Sequence, residues 1–222
     1  MKSKYRLLKC CIGLSLLCSC TAFITKEHHC STKRFQNTHS GNEKSLSKSS
    51  KKISTTIMGK GDLMSTVMQQ VLKKHHPRLK DTKIHMIVEC YIEECHLEGV
   101  NHDIAFAQMC LETDYLKYGG QVSASQNNFA GLGALDGGAK GLKFRTLRDG
   151  IRAHVQHLKA YGSEESLKNR CIDPRFRLVK RGSAKTIYAL AGKWASDPDY
   201  GNKIRDRIIA FYKLQNKNDR KS

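Results

Sequence analysis

Apolar residues recur at helical spacing from Leu63 onward. In "LMSTVMQQVLKKHHP", Leu63, Val67, Val71 and Leu72 share one face and Pro77 ends the run. In "DTKIHMIVECYIEECHLEGVN", Ile84, Ile87, Val88, Tyr91, Ile92 and Cys95 mark a second helix that Gly99 stops. Asn101 suits the cap of a third, with Ile104, Ala105, Ala107, Gln108 and Leu111 behind it. This third segment is the most apolar in the chain, yet it closes on one carboxylate, Glu112, before a Gly119-Gly120 stop. An irregular Gly-rich stretch, a long loop or a short hairpin, runs on to Gly141. A further helix is predicted from Thr146 through "LRDGIRAHVQHLKAYGS", and another from Ser183 to Ala195. The last begins at Asp197-Pro198, a good cap and first-turn pair, and runs to Leu214. No βαβ alternation appears, so the pattern predicts a mostly α fold and argues against a parallel sheet.

The segments outside 62–214 read differently. Residues 21–61 have no helical or strand period, and Ser, Thr and Lys dominate, which predicts a flexible basic tether. Residues 215–222 read as a polar tail. The start is basic (Lys2, Lys4, Arg6, Lys9) and is followed by an apolar run from Cys10 to Leu17. That run is shorter than the roughly 20 residues a spanning helix needs, and it reads as a secretory signal. Its end, "LCSC", resembles a bacterial lipobox, which implies export, lipidation of Cys20 and anchoring to a membrane. Ordinary cleavage near Ala22 and an uncleaved anchor are the alternatives.

Composition bounds the partners. The chain has 222 residues, 39% of them hydrophobic and 27% charged, enough for one domain with a core. The net charge of +19 is spread over signal, tether and domain rather than gathered in one patch. It favours anionic partners: nucleic acid, anionic lipid or an acidic wall polymer. The export signal and the lack of a recognisable motif speak against nucleic acid. Past the signal, Cys30, Cys90, Cys95, Cys110 and Cys171 have no metal-ligand spacing, which argues against a zinc site. Most of them read as buried thiols.

Glu112 is the leading chemical candidate. A glutamate closing an apolar helix is partly desolvated, which penalises its charged form and suits a general acid. An exposed last-turn residue is the plainer alternative. Downstream, "SQNNFAGLGA" sets Asn127 and Asn128 beside Phe129 and two glycines. Asn side chains both donate and accept, as hydroxyl and acetamido groups require. Phe129 could face a sugar ring or plug the core.

Taken in order, "GVNHDIAFAQMCLETDYLKYG", "NNFAGLGA" and "WASDPDYGNKI" resemble the bacterial β-N-acetylglucosaminidases of glycoside hydrolase family 73. Ala107 with Glu112-Thr113, then Asn127-Asn128-Phe129 with Gly131, then Trp194-Ala195-Ser196-Asp197-Pro198 with Tyr200 meet that family's pattern. The resemblance covers about residues 65–214. It implies a lysozyme-like, two-lobed helical fold. It implies hydrolysis of the β-1,4 bond after N-acetylglucosamine in peptidoglycan glycan strands, with no metal or other cofactor. Glu112 would be the general acid, with Asn127, Asn128, Phe129, Trp194 and Tyr200 as substrate-binding residues. Asp197 more naturally caps a helix than reacts.

Two departures matter. Many members carry a second acidic residue on a longer hairpin, whereas "GALDGGAKGLKF" is short and offers only Asp136. Asp136 is either a general base or the Asp of an Asp-Gly turn. If it is the latter, the substrate's own acetamido group attacks. Trp194 also stands where relatives often have Tyr, so Tyr200 would have to supply any hydroxyl, or that role is absent. A lytic transglycosylase on the same fold and a non-catalytic wall-binding lipoprotein are the rival functions. His154 and His157 read as a satisfied or exposed helical pair rather than a metal site. "DPRFRLVKRGSA" reads as a solvated connector or a contact for acidic polymer.

Overall fold

The computed structural model describes residues 53–134, 138 and 140–220. Five α-helices carry the domain: α1 (Ser65–His75), α2 (Asp81–Glu98), α3 (His102–Thr113), α4 (Leu147–Gly162) and α5 (Tyr200–Asn218). Short 3-10 turns at Ala124–Gln126, Phe176–Leu178 and Tyr188–Leu190 complete it. Among the described residues there is no β-strand, only isolated bridges. The mostly helical expectation is met.

Helix ends follow local chemistry. Gly99 closes α2 at φ 72, ψ 23, a left-handed cap that a Cβ would strain. The Asn101 side chain accepts from the Asp103 N–H and starts α3. The Thr146 side chain accepts from the Asp149 N–H and starts α4. α3 is the central helix: every residue from Asp103 to Cys110 is buried. It packs against α2, α4 and α5.

Three expectations are corrected. Residues 53–61 belong to the domain rather than to a tether. Ile57 is fully buried, its N–H donates to Lys185 O, and its carbonyl accepts from the Asn101 N–H. An apolar residue held by two backbone bonds needs no periodicity around it to dock. α5 continues through Asn218, past the expected end at Leu214, so residues 215–218 are helical. The helix expected over Ser183–Ala195 is one 3-10 turn: Thr186 bridges to Thr56 and the Ile187 N–H donates to Thr55 O before it, and Gly192 at φ 74 lies outside helical space after it. Ile187, Leu190 and Trp194 are still buried, which is what their spacing reflected. The Cys20 expectation and residues 1–52 lie outside the described residues.

Four thiols fall within the described residues. Cys90, Cys95 and Cys110 are free and buried, as expected, and Cys171 is free and exposed. Burial pushes the Cys90 thiol up to about 12 and those of Cys95 and Cys110 well above their ordinary value. All three stay protonated and inert at neutral pH.

Candidate active site

The buried helix α3 reaches the edge of the core at its last turn. Leu111 and Glu112 are half-buried there, while Thr113 is buried. A run of left-handed residues follows: Asp114 (φ 46), Tyr115 (φ 55) and Leu116 (φ 67), then Tyr118 (φ 60). For residues with a Cβ this conformation costs on the order of 1–2 kcal/mol each. Thr113 offsets part of it. Its hydroxyl donates to Met109 O at 2.8 Å and accepts from the Leu116 N–H at 2.9 Å. Leu116 is buried, and Tyr115 stacks on His75 with ring centroids 3.8 Å apart. The hydroxyl after Glu112 thus pins the sharp exit that leaves the carboxyl at the rim.

Glu112 is held by two neutral donors. Trp194 Nε1–H donates to Oε1 at 2.9 Å and the Tyr200 hydroxyl donates to the same oxygen at 2.5 Å. The other oxygen, Oε2, is out of contact with bulk water. Burial, and then the negative charge of Glu112, push the Tyr200 phenol well above its ordinary value, so it remains a donor. Trp194 is itself caged. His157 meets it edge-on at 5.0 Å, and His154 and Tyr161 lie at 5.8 Å. At the Trp194 position an indole N–H, and from Tyr200 a hydroxyl, both reach the carboxyl.

The "SQNN" segment folds onto the core. Asn127 takes φ 48 and its side-chain amide donates to Phe144 O at 3.2 Å. Its carbonyl lies so close to α4 that a Cβ on Gly150 would sit 1.7 Å from it, so only glycine fits there. Asn128 is fully buried. It donates to Leu132 O and Leu142 O at 2.9 and 3.0 Å. It accepts from the N–H groups of Ala130 and Leu132 at 3.4 and 2.9 Å. All four of its bonding positions serve its own loop. Phe129 is buried, edge-on to Tyr91 at 6.3 Å. Asp197 is not the cap expected of it: α5 starts at Tyr200 with Asp199 before it, and the Asp197 carboxylate accepts from the Asp199 N–H and pairs with Lys203. The Lys203 bond holds it below the ordinary carboxylate range. Asp136 lies outside the described residues.

The structure thus brings Glu112, Trp194 and Tyr200 together from three separate stretches. Asn127, Asn128 and Phe129 instead shape the neighbouring loop. His154 and His157 are both buried and bonded. His154 joins Tyr91 and Gln108, and His157 Nδ1 lies 2.7 Å from Asp173 Oδ2. Among the described residues no cluster of ligating side chains fits a metal. Gln108 was legible only as a core-face residue. Its one signal was an amide inside an otherwise apolar helix.

A glucosaminidase family model, described as mannosyl-glycoprotein endo-beta-N-acetylglucosaminidase, matches residues 88–214. An uncharacterised protein of Borreliella burgdorferi is 47% identical over 143 residues, covering 64% of this chain and 70% of that protein. Among solved structures, S. aureus autolysin E in complex with the muropeptide NAM-L-Ala-D-iGlu is 16% identical, with a TM-score of 0.49 over 73% of this chain and 72% of that one. A catalytic mutant of autolysin E in complex with the disaccharide NAG-NAM gives a TM-score of 0.48 at 16% identity over the same shares.

Proposed function

Because the chain belongs to the glucosaminidase family of endo-β-N-acetylglucosaminidases, we propose that it is a peptidoglycan hydrolase in which Glu112 is the general acid. The observation that carries this reading is the carboxyl of half-buried Glu112 at the edge of the core, held on one oxygen by Trp194 and Tyr200. Glu112 protonates the departing glycosidic oxygen as the bond from C1 breaks. Water adds to C1 and loses a proton. It does so either directly, with Asp136 as base, or after the acetamido oxygen has first closed on C1. Asn127, Asn128 and Phe129 act on substrate through the shape of their loop, because Asn128 has no bonding position left for a sugar.

Mass spectrometry of digested sacculi tests the reaction. New reducing N-acetylglucosamine ends are expected. Anhydro-muramic ends would instead make it a lytic transglycosylase. Equal fragment release by wild type and Glu112→Gln would leave a wall-binding protein. The wider reading is an exported lipoprotein anchored through Cys20. Its support is the "LCSC" motif after a basic, apolar start, together with the net charge of +19, which favours an anionic envelope. Labelling with a fatty-acid analogue should mark the wild type and spare Cys20→Ala. Label retained by the variant would reject the anchor.

A further inference from the structure

A file of buried polar groups runs through the core to Glu112. The Tyr91 hydroxyl lies 2.9 Å from His154 Nδ1, and His154 Nε2 lies 2.9 Å from Gln108 Oε1. Gln108 Nε2 donates to the Tyr200 hydroxyl at 2.8 Å, and that hydroxyl donates to Glu112 Oε1 at 2.5 Å. The members come from α2, α4, α3 and α5 in turn. Tyr91, His154 and Gln108 are fully buried and Tyr200 is 1% exposed. Buried polar groups in an apolar core are tolerated when each is paired, and chained bonds polarise one another.

We propose that Tyr91, His154 and Gln108 are positioning residues for Glu112. Their hydrogen bonds all point one way, keep Oε1 an acceptor, and so lodge the catalytic proton on Oε2. This rests on the general-acid role of Glu112 stated above.

The direction follows from the chemistry of each group. The Gln108 carbonyl can only accept, so His154 carries its hydrogen on Nε2. Nδ1 then accepts, and Tyr91 donates to it. Gln108 Nε2 can only donate, so Tyr200 accepts from it and spends its own hydrogen on Glu112. Running the chain backwards would rotate the Gln108 amide, move the imidazole hydrogen to Nδ1 and turn both phenols. It would also put the carboxyl proton on Oε1, where the donor-only indole of Trp194 already points. The chain needs a neutral imidazole, and burial supplies one by pushing His154 down to about 3. The titratable groups that act on the file are His157 of α4 on His154, Arg207 of α5 on Tyr200, and Cys90 and Cys95 of α2, Cys110 of α3 and Tyr118 on Tyr91.

The test uses the full chain on soluble glycan strands. Gln108→Met keeps the length and loses the amide. It should lower kcat about tenfold and leave KM within about twofold. The basic limb of the kcat/KM profile should move to higher pH, because the Tyr200 hydroxyl, no longer polarised by Gln108, favours the carboxylate less. Tyr91→Phe, four bonds away, should move the limb the same way with a loss of about threefold. A uniform loss at every pH with both limbs in place would reduce the file to packing and overturn the proposal. Nitrogen NMR of the wild type gives an answer that does not depend on variants folding. The Nε2–H tautomer of His154 is expected throughout about pH 5–8, and an Nδ1–H tautomer would overturn the proposal. An active Glu112→Gln would sink the general-acid reading itself. An inactive Glu112→Gln beside an unmoved limb would sink only the positioning role.

Discussion

Two glutamates near the ends of helices are withdrawn from water in opposite ways. Glu98, the last residue of α2, is 1% exposed. Its Oε2 accepts from the Lys159 ammonium at 2.9 Å and from the Lys168 N–H at 3.0 Å, and its Oε1 from the Asn169 N–H at 3.0 Å. Burial pushes its carboxyl up, but these donors outweigh that and hold it below the ordinary value. Glu112, one residue from the end of α3, receives an indole and a phenol on Oε1, both uncharged. A helix C-terminus disfavours negative charge in both places. The cation at Glu98 fixes the ionised state and ties α2 to α4. The indole and phenol at Glu112 fix the position of Oε1 without bringing a charge of their own. The difference separates a carboxylate held as a staple from one that, under the proposed function, serves as a reagent.

Four experiments press on that contrast, from the largest effect down. Glu112→Gln should cost about 10³-fold in reducing-end release with little change in melting temperature, since the amide still accepts at Oε1. Lys159→Met should do the reverse. Stranding Glu98 without its cation costs about 3–5 kcal/mol, seen as a melting temperature lower by roughly 10 °C, while turnover at low temperature holds. Tyr200→Phe removes one donor to Glu112 and should lower kcat about 10–100-fold, measured on the same strands. The smallest effect is in acid. The Glu98 pKa is lower folded than unfolded, so its contribution is complete above the unfolded value of about 4.3 and is lost as pH falls through the folded one. Thermal melts from about pH 6 downward should therefore fall more steeply for the wild type than for a Glu98→Gln, Lys159→Met double variant.

The legible parts of the chain are those governed by local rules. The Gly99 stop, the Asn101 cap and the start of α4 at Thr146 each rest on one side chain or one φ angle, and each is where the pattern put it. The family and the mostly helical class were readable from three motifs in order. What the pattern missed is set by distant partners. Ile57 docks because Lys185 and Asn101 offer backbone bonds from far along the chain. The buried spacing of Ile187, Leu190 and Trp194 mimicked a helix because a 3-10 turn followed by a left-handed glycine can bury the same positions. At the site, Trp194 and Tyr200 were expected against sugar, yet their polar atoms meet Glu112. Sequence spacing could name them but not choose their partner. Gln108 and His154 gave still less warning, since a bonded amide and a bonded imidazole look alike in sequence whether or not they lead to a reacting group.

The indole that donates to Glu112 belongs to the only tryptophan in the chain. Its emission therefore carries no background from elsewhere, and the chromophore is joined to the carboxyl by a single hydrogen bond. Proton loss from that carboxyl, or a sugar settling beside it, should register as a change in colour or brightness in the untouched enzyme. The fold has in effect installed its own optical electrode beside the proposed general acid.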